Sequence, residues 1–226
     1  MADTIAFLHT AQIHVPTFER LTREIAPDLH VQHLVKEELL HEARAAGIDD
    51  NPMLAARVHD AMREAASDGA AVVACTCSTI GALAEQTATG GAFAAQRIDR
   101  AMADRAVRAG PRVLIAAALE STLEPTTALI LSAAARAGVG VKPSVLLVQR
   151  AWAHFEAGDT SRYIEALAGG IRAAAIAADV VVLAQASMAP VAGELADIGI
   201  EVLGSPGPGV AHAVATLRAS RTAWAT

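Results

Sequence analysis

Short runs of aliphatic and β-branched residues alternate along the chain with longer, alanine-rich stretches in which apolar positions recur at helical spacing. The strands expected from this pattern are Ile5–Thr10, His30–Val35, Ala71–Cys75, Val113–Ala118, Val145–Leu147, Val180–Ala184 and Glu201–Leu203. Helices are expected near Thr17–Ile25, Pro52–Ser67, Ser78–Gln86, Asp99–Ala109, Glu124–Ala137, Ser161–Ala177, Ala189–Ile198 and Gly209–Arg221. Strands that alternate with helices build right-handed βαβ units around a mostly parallel sheet. Runs apolar at every position, such as Val180-Val181-Val182-Leu183, suit strands covered on both faces. The fold class is therefore α/β.

The pattern also repeats. Ile5 and Val113 both open a strand at an offset of 113 − 5 = 108, and Cys77 and Gln185 both follow an apolar strand at 185 − 77 = 108. The same shift carries the second-strand region, His30–Val35, to Gly138–Pro143, just ahead of Val145–Leu147. Two halves of like layout imply two pseudo-symmetric lobes, each a mostly parallel sheet flanked by helices, with the active site in a cleft between equivalent strand ends. Residues 1–104, joined by a C-terminal helix at 209–226, are expected to form the N-terminal lobe, and residues 105–208 the second. Ligands of open parallel sheets bind beyond the carboxyl ends of the strands. Four such ends are rich in hydroxyl or other polar residues: Leu8-His9-Thr10, Cys75-Thr76-Cys77-Ser78-Thr79, Ala118-Leu119-Glu120-Ser121-Thr122 and Ala184-Gln185-Ala186-Ser187.

Composition narrows the classes. Hydrophobic residues make up 53% of the 226 but aromatics only 3%, so the core rests on many small aliphatic contacts. The net charge of −6 is spread along the chain without a basic stripe, which argues against nucleic-acid binding. It equally argues against a membrane-surface role. No apolar run reaches the roughly 20 residues a bilayer span needs. The opening Met1-Ala2-Asp3-Thr4 lacks the basic-then-apolar layout of a secretory signal. Cys75 and Cys77, with one residue between them, suit no disulfide framework. The cytoplasm is the expected location.

The segment Ala74-Cys75-Thr76-Cys77-Ser78-Thr79-Ile80-Gly81 carries the chemistry. A strand ends here and a helix is expected to begin, so unpaired backbone N–H groups favour a thiolate at Cys77. Ser78 and Thr79 add hydroxyls able to hold a carboxylate against the same N–H groups. Free cysteines are more often small buried residues than reactive ones, and Cys75, inside the apolar strand, fits that description. Cys77 lies beyond the strand.

The Cys77-Ser78-Thr79 segment resembles the Cys-Asn-Thr motif of the aspartate/glutamate racemase superfamily, with serine in place of asparagine. The succession of Leu8-His9-Thr10, the Ser121-Thr122 turn and Val182-Leu183-Ala184-Gln185 is similar as well, over nearly the whole chain. The resemblance implies two pseudo-symmetric α/β lobes, no cofactor and no metal, a small carboxylic acid as substrate and a homodimer as the assembly. It implies Cys77 as base or nucleophile, and carboxylate-holding roles for Thr10, Ser78, Thr79, Ser121, Thr122 and Ser187. Members of the superfamily include amino-acid and hydantoin racemases, maleate isomerases and arylmalonate decarboxylases.

One departure is large. Racemases of this superfamily carry a second cysteine in the second lobe, and Gln185 stands at that position. Racemisation without a cofactor needs an acid/base group on each face of the substrate, and glutamine does not titrate. One thiolate suffices to add to and leave an unsaturated diacid, to protonate an enolate after loss of a carboxylate, or to take one α-proton. His9 is the alternative second base, since histidine titrates near neutrality; hydrogen bonding to substrate or backbone is its other option. Gln185 would orient substrate through its amide. The expected activity is that of an isomerase or racemase, with a lyase or decarboxylase, or a non-catalytic carboxylate-binding protein, as alternatives.

Three weaker signals point elsewhere than to a site. His30, His33, His41, Glu37 and Glu38 match no zinc spacing and read as a solvated strand-to-helix edge. Gly204-Ser205-Pro206-Gly207-Pro208-Gly209 lacks phosphate-loop order, its prolines remove N–H donors, and it reads as the turn into the last helix. Trp152, Phe155 and Tyr163 read as helix packing, and the Arg97-Ile98-Asp99 turn is unassigned.

Overall fold

Two four-stranded parallel sheets carry the chain. In the first, β1 (Thr4–His9), β2 (His30–Val35), β3 (Val72–Cys75) and β4 (Ala94–Arg97) lie in the order β2-β1-β3-β4. In the second, β5 (Arg112–Ala117), β6 (Lys142–Leu147), β7 (Val180–Leu183) and β8 (Glu201–Leu203) lie in the order β6-β5-β7-β8. The computed structural model describes residues 4–48 and 50–224, with side chains as far as residue 220. Met1–Asp3, examined above for a leader, lie outside the described residues.

The repeat extends to the register of the central strand pairs. Ile5 pairs with Val72 as Val113 pairs with Val180, and Thr4 with His30 as Arg112 with Lys142. Helices α1 (Val15–Ile25), α2 (Glu37–Ala46), α3 (Pro52–Ala66) and α4 (Gly81–Glu85) of the first half answer to α6 (Leu123–Ala137), α7 (Gln149–Glu156), α8 (Thr160–Ala174) and α9 (Val191–Glu194) of the second. Even a cap recurs: Asn51 accepts from Leu54 N at the start of α3, and Asp159, 108 residues on, accepts from Arg162 N at the start of α8. Each closes a donor that the first helical turn leaves open.

Where the expected offset failed, between β2 and β6, a local insertion is the cause. The offset there is 142 − 30 = 112, because α6 runs one turn beyond α1's length before ending at Gly138, whose φ of 67° suits the left-handed position after a helix. The shorter α7 and the loop after it return the offset to 160 − 52 = 108 at α3 and α8. Three elements escaped the pattern: β4, α2 and α7. The expected helix Ser78–Gln86 shrinks to the five residues of α4.

The chain divides into two compact units, residues 1–99 with 206–226, and residues 100–205. The boundaries fall five and three residues before the expected 104/105 and 208/209, because α5 (Arg100–Ala109) and α10 (Pro206–Trp224) each belong whole to one unit. In the first unit Ala6, Leu8, Val73 and Cys75 pack against Leu39, Leu54, Val58 and Met62 of α2 and α3. The other face meets α1 and α10: Phe7 lies against Phe18, and Gly209 sits so close to Ile98 that a Cβ there would come within 2.2 Å of its carbonyl oxygen. In the second unit Leu114, Ala116, Val181 and Leu183 pack on Tyr163, Leu167 and Ile171 of α8, and Val113, Ile115 and Val182 on α5 and α6. Both sheets are thus covered on both faces, which is why their central strands are apolar between their ends. Trp152, Phe155 and Tyr163 form an aromatic run within this packing.

Candidate active site

The carboxyl ends of β1 and β3, adjacent in the first sheet, bring His9, Thr10, Cys77, Ser78 and Thr79 into one lobe. β3 ends at Cys75, whose thiol is fully buried, points to the carbonyl of Cys77 at 3.7 Å and is held protonated by burial. Cys77 is half-buried, and both cysteines are free. Thr10, Ser78 and Thr79 are buried, and the Thr79 hydroxyl is without a partner. The helix dipole invoked from the sequence does not act here. α4 begins only at Gly81 and has five residues, so Cys77 precedes a turn in which Gly81 N donates to Ser78 O at 3.4 Å. A helix so short, four residues away, adds little field at the sulfur.

What supports that turn is a buried ion pair. Arg97 closes β4 in register with Cys75 and donates through Nε and Nη2 to Asp99 at 2.6 and 3.1 Å. Its Nη2 also reaches the carbonyl of Ser78 at 3.4 Å. The guanidinium lies directly beneath Gly81, where a Cβ would come within 3.1 Å of it. Asp99 holds the guanidinium charged despite its burial. The fork geometry of arginine fits this double duty, carboxylate on one edge and backbone carbonyl on the other.

His9 is fully buried, with both ring nitrogens engaged: Nδ1 lies 2.8 Å from Thr76 Oγ1 and Nε2 lies 2.9 Å from Nδ1 of His33. His33 continues the chain to Glu19 at 3.1 Å, a bond that holds the Glu19 carboxyl below its usual range. Thr76 also donates to Leu8 O at 3.2 Å. In that arrangement His9 donates from Nδ1 to Thr76 and accepts at Nε2 from His33. Burial first, then the nearby His33 and His14, push the pKa of His9 down to about 3. The unfolded chain therefore binds a proton at His9 between pH 6.5 and about 3 that the folded chain does not. Stability from this group is complete above pH 6.5 and is lost as pH falls through that window, by an amount on the order of a few kcal/mol. Urea unfolding at pH 7 and pH 4 is expected to show a smaller difference for His9→Asn than for the natural chain; an equal difference would exclude His9 as its source.

In the second lobe, the ends of β5 and β7 bring together Ser121, Thr122, Gln185 and Ser187. Gln185 is buried, and its Oε1 accepts from Ala118 N at 2.7 Å and Leu119 N at 3.1 Å. The Ser187 hydroxyl is 2.8 Å from that of Tyr163, whose pKa burial pushes up to about 12. Thr122 precedes α6 and donates to Leu119 O at 2.7 Å, a turn bond rather than a side-chain cap. The Ser121 hydroxyl is buried without a partner.

Sequence reasoning did not assign Arg97, Asp99, His33, Glu19 or Tyr163. Arg97 and Asp99 carried a detectable signal, an acid two residues after a base at a strand end, whereas the partnership of Tyr163 with Ser187 depends on helix packing and left none. Among the described residues, no three His, Cys, Asp or Glu side chains converge in a way that would hold a metal ion, the His30–His41 region included.

No protein-family model and no curated protein sequence matches the chain. Solved structures do. An aspartate racemase from Picrophilus torridus superposes with a TM-score of 0.67 at 14% identity, over 96% of this chain and 93% of that one. Allantoin racemase from Pseudomonas fluorescens gives a TM-score of 0.62 at 17% identity, over 96% and 92%. Arylmalonate decarboxylase gives 0.59 at 16% identity, over 95% and 92%. The chain shares the α/β fold of these three solved proteins. No helix among the described residues is long and apolar enough to cross a membrane.

Proposed function

We propose that this chain is a cytoplasmic, cofactor-independent enzyme of the isomerase or racemase type, acting on a small carboxylic acid with Cys77 as base or nucleophile. The observation that carries the proposal is a free, half-buried thiol just past the carboxyl end of β3, in a fold shared with aspartate and allantoin racemases. Thr10, Ser78 and Thr79, with Ser121 and Ser187, are the proposed carboxylate-holding hydroxyls; the one proton of the Thr122 hydroxyl is already donated to Leu119 O. His9 holds Thr76, the residue before the nucleophile, rather than exchanging protons with substrate: it is fully buried and neutral well below pH 6.5. Gln185 keeps an amide NH2 with which to orient substrate.

A second outcome is favoured by one observation, the glutamine at position 185. With one titrating group, proton delivery to an enolate after loss of carbon dioxide, as in a decarboxylase, needs nothing from the opposite face. The two outcomes differ in product mass. The experiment is incubation with amino acids and small mono- and dicarboxylic acids, followed by chiral and mass analysis, before and after iodoacetamide treatment with the labelled cysteine mapped. Turnover of one acid, lost in step with alkylation of Cys77, is expected. No turnover together with an unreactive Cys77 at neutral pH would leave a non-catalytic carboxylate-binding protein.

A further inference from the structure

Cys75 and Cys77 are the two cysteines of the chain, both are free, and the fold turns both toward one side of the first sheet. Residues two apart along a strand point the same way. Cys75 belongs to the core cluster that α2 and α3 close over β1 and β3, and Cys77 packs against that same cluster. The Cys75 thiol leans toward its neighbour, with Sγ 3.7 Å from the carbonyl oxygen of Cys77.

The two thiols differ in access and in freedom. Cys75 is fully buried and held protonated by that burial, while Cys77 is half-buried. Cys75 stands in register between Leu8 of β1 and Arg97 of β4, and its carbonyl accepts from Ile98 N at 2.9 Å. Cys77 lies past the bond from Thr76 N to Leu8 O, at 2.9 Å, with which β1 and the chain leaving β3 part. Residues two apart on an extended chain are at most about 7 Å from each other, and a disulfide joins Cα atoms roughly 4.4–6.8 Å apart. A small turn at Cys77 therefore brings the sulfurs together and leaves β3 as it is.

We infer that Cys75 and Cys77 form a redox pair, in which a hydroperoxide oxidises Cys77 and Cys75 resolves the product to an intrachain disulfide. The Cys77 thiolate attacks one oxygen of hydrogen peroxide or an organic hydroperoxide, the O–O bond breaks and a sulfenic acid forms. The proton given up by the thiol goes to the departing oxygen, which leaves as water or an alcohol. The Cys75 sulfur then attacks the Cys77 sulfur. The S–S bond forms, the S–O bond breaks, and the hydroxyl leaves with the Cys75 proton as water. The pair loses two hydrogens in all and the peroxide is reduced. The bridge stops Cys77 short of the sulfinic and sulfonic acids, which thiols do not reverse. It closes a small, strained ring, so it is a readily reduced state rather than a cross-link that holds the fold. Its effect on turnover rests on the proposed role of Cys77; its formation does not.

The test treats the reduced full-length chain with a small molar excess of hydrogen peroxide and blocks the remaining thiols with N-ethylmaleimide in denaturant. The peptide that carries both cysteines is then weighed. A peptide lighter by two hydrogens that takes up no maleimide is expected, in a chain that stays single on a non-reducing gel. Dithiothreitol is expected to restore both maleimide sites. Cys75→Ala is expected to form a sulfenic acid that dimedone traps and that otherwise gains further oxygen at Cys77. Cys77→Ala is expected to leave Cys75 untouched at the same dose. Oxygen gained at Cys77 of the natural chain without a bridge, disulfides between chains, or equal oxidation of the two variants would overturn the inference. Should Cys75→Ala not fold, the natural chain and Cys77→Ala decide alone. A bridge in a chain that turns over no acid would retire the enzymatic reading and leave the redox pair standing.

Discussion

Cys77→Ala is expected to lower kcat/KM for the acid that is turned over by about 10²–10⁴-fold, the range that a positioned acid or base contributes. Most of the loss belongs in kcat, because a thiol that acts on the reacting atom is used in the transition state, whereas carboxylate binding falls to other groups. Folding should change little, since Cys77 is half-buried and precedes a turn rather than sitting in the apolar strand. Cys77→Ser is expected to fall nearly as far: a hydroxyl fills the space but does not ionise near neutrality. Steady-state kinetics on the natural chain and both variants check this. A KM effect with unchanged kcat would make Cys77 a binding residue.

Asp99→Ala is expected to cost about 3–5 kcal/mol of unfolding free energy, because it leaves the buried Arg97 guanidinium without the carboxylate it is hydrogen-bonded to. The side chains of Arg97 and Asp99 are only 3% and 1% exposed, so water does not replace the lost partner. Such a loss is a large share of the stability of an ordinary domain. The double variant Arg97→Met with Asp99→Leu removes both charges and keeps apolar bulk beneath Gly81, so it should recover most of the stability. It should not recover activity, since the bond from Arg97 to the Ser78 carbonyl that steadies the Cys77 turn is gone. Urea unfolding and kinetics on the two variants separate these effects. Equal destabilisation by both would mean that shape, not charge, is what the pair supplies.

The parallel class, the duplication and the central strands were legible because burial on both faces forces continuous apolar runs and because the halves keep their spacing. β4 was not, since Ala94-Ala95-Gln96-Arg97 holds no β-branched or aromatic residue and becomes a strand through its register with β3. α2 and α7 were hidden by the charged and polar residues on their exposed faces. α4 was read too long because an apolar, alanine-rich segment after a strand looks helical, whereas Ser78–Ile80 turn instead over Arg97. Cys77 as the candidate thiol, and the hydroxyls around it, came from motif and position. What Gln185 does did not: a glutamine in sequence is only a group that does not titrate, and its hold on two main-chain donors is a fact of three-dimensional proximity between β5 and β7.

The first lobe is assembled from two stretches of chain, with residues 100–205 between them. Gln96 of β4 donates to Thr216 of α10 across 120 positions, and α10 also lies against β1, β3 and α1. On a ribosome the second lobe is continuous and is finished first, while the face of the first sheet that carries Phe7 waits for the last helix to emerge. The usual order, N-terminal domain before C-terminal, is thereby reversed. Of the two units, the one that holds Cys77 is the later to close.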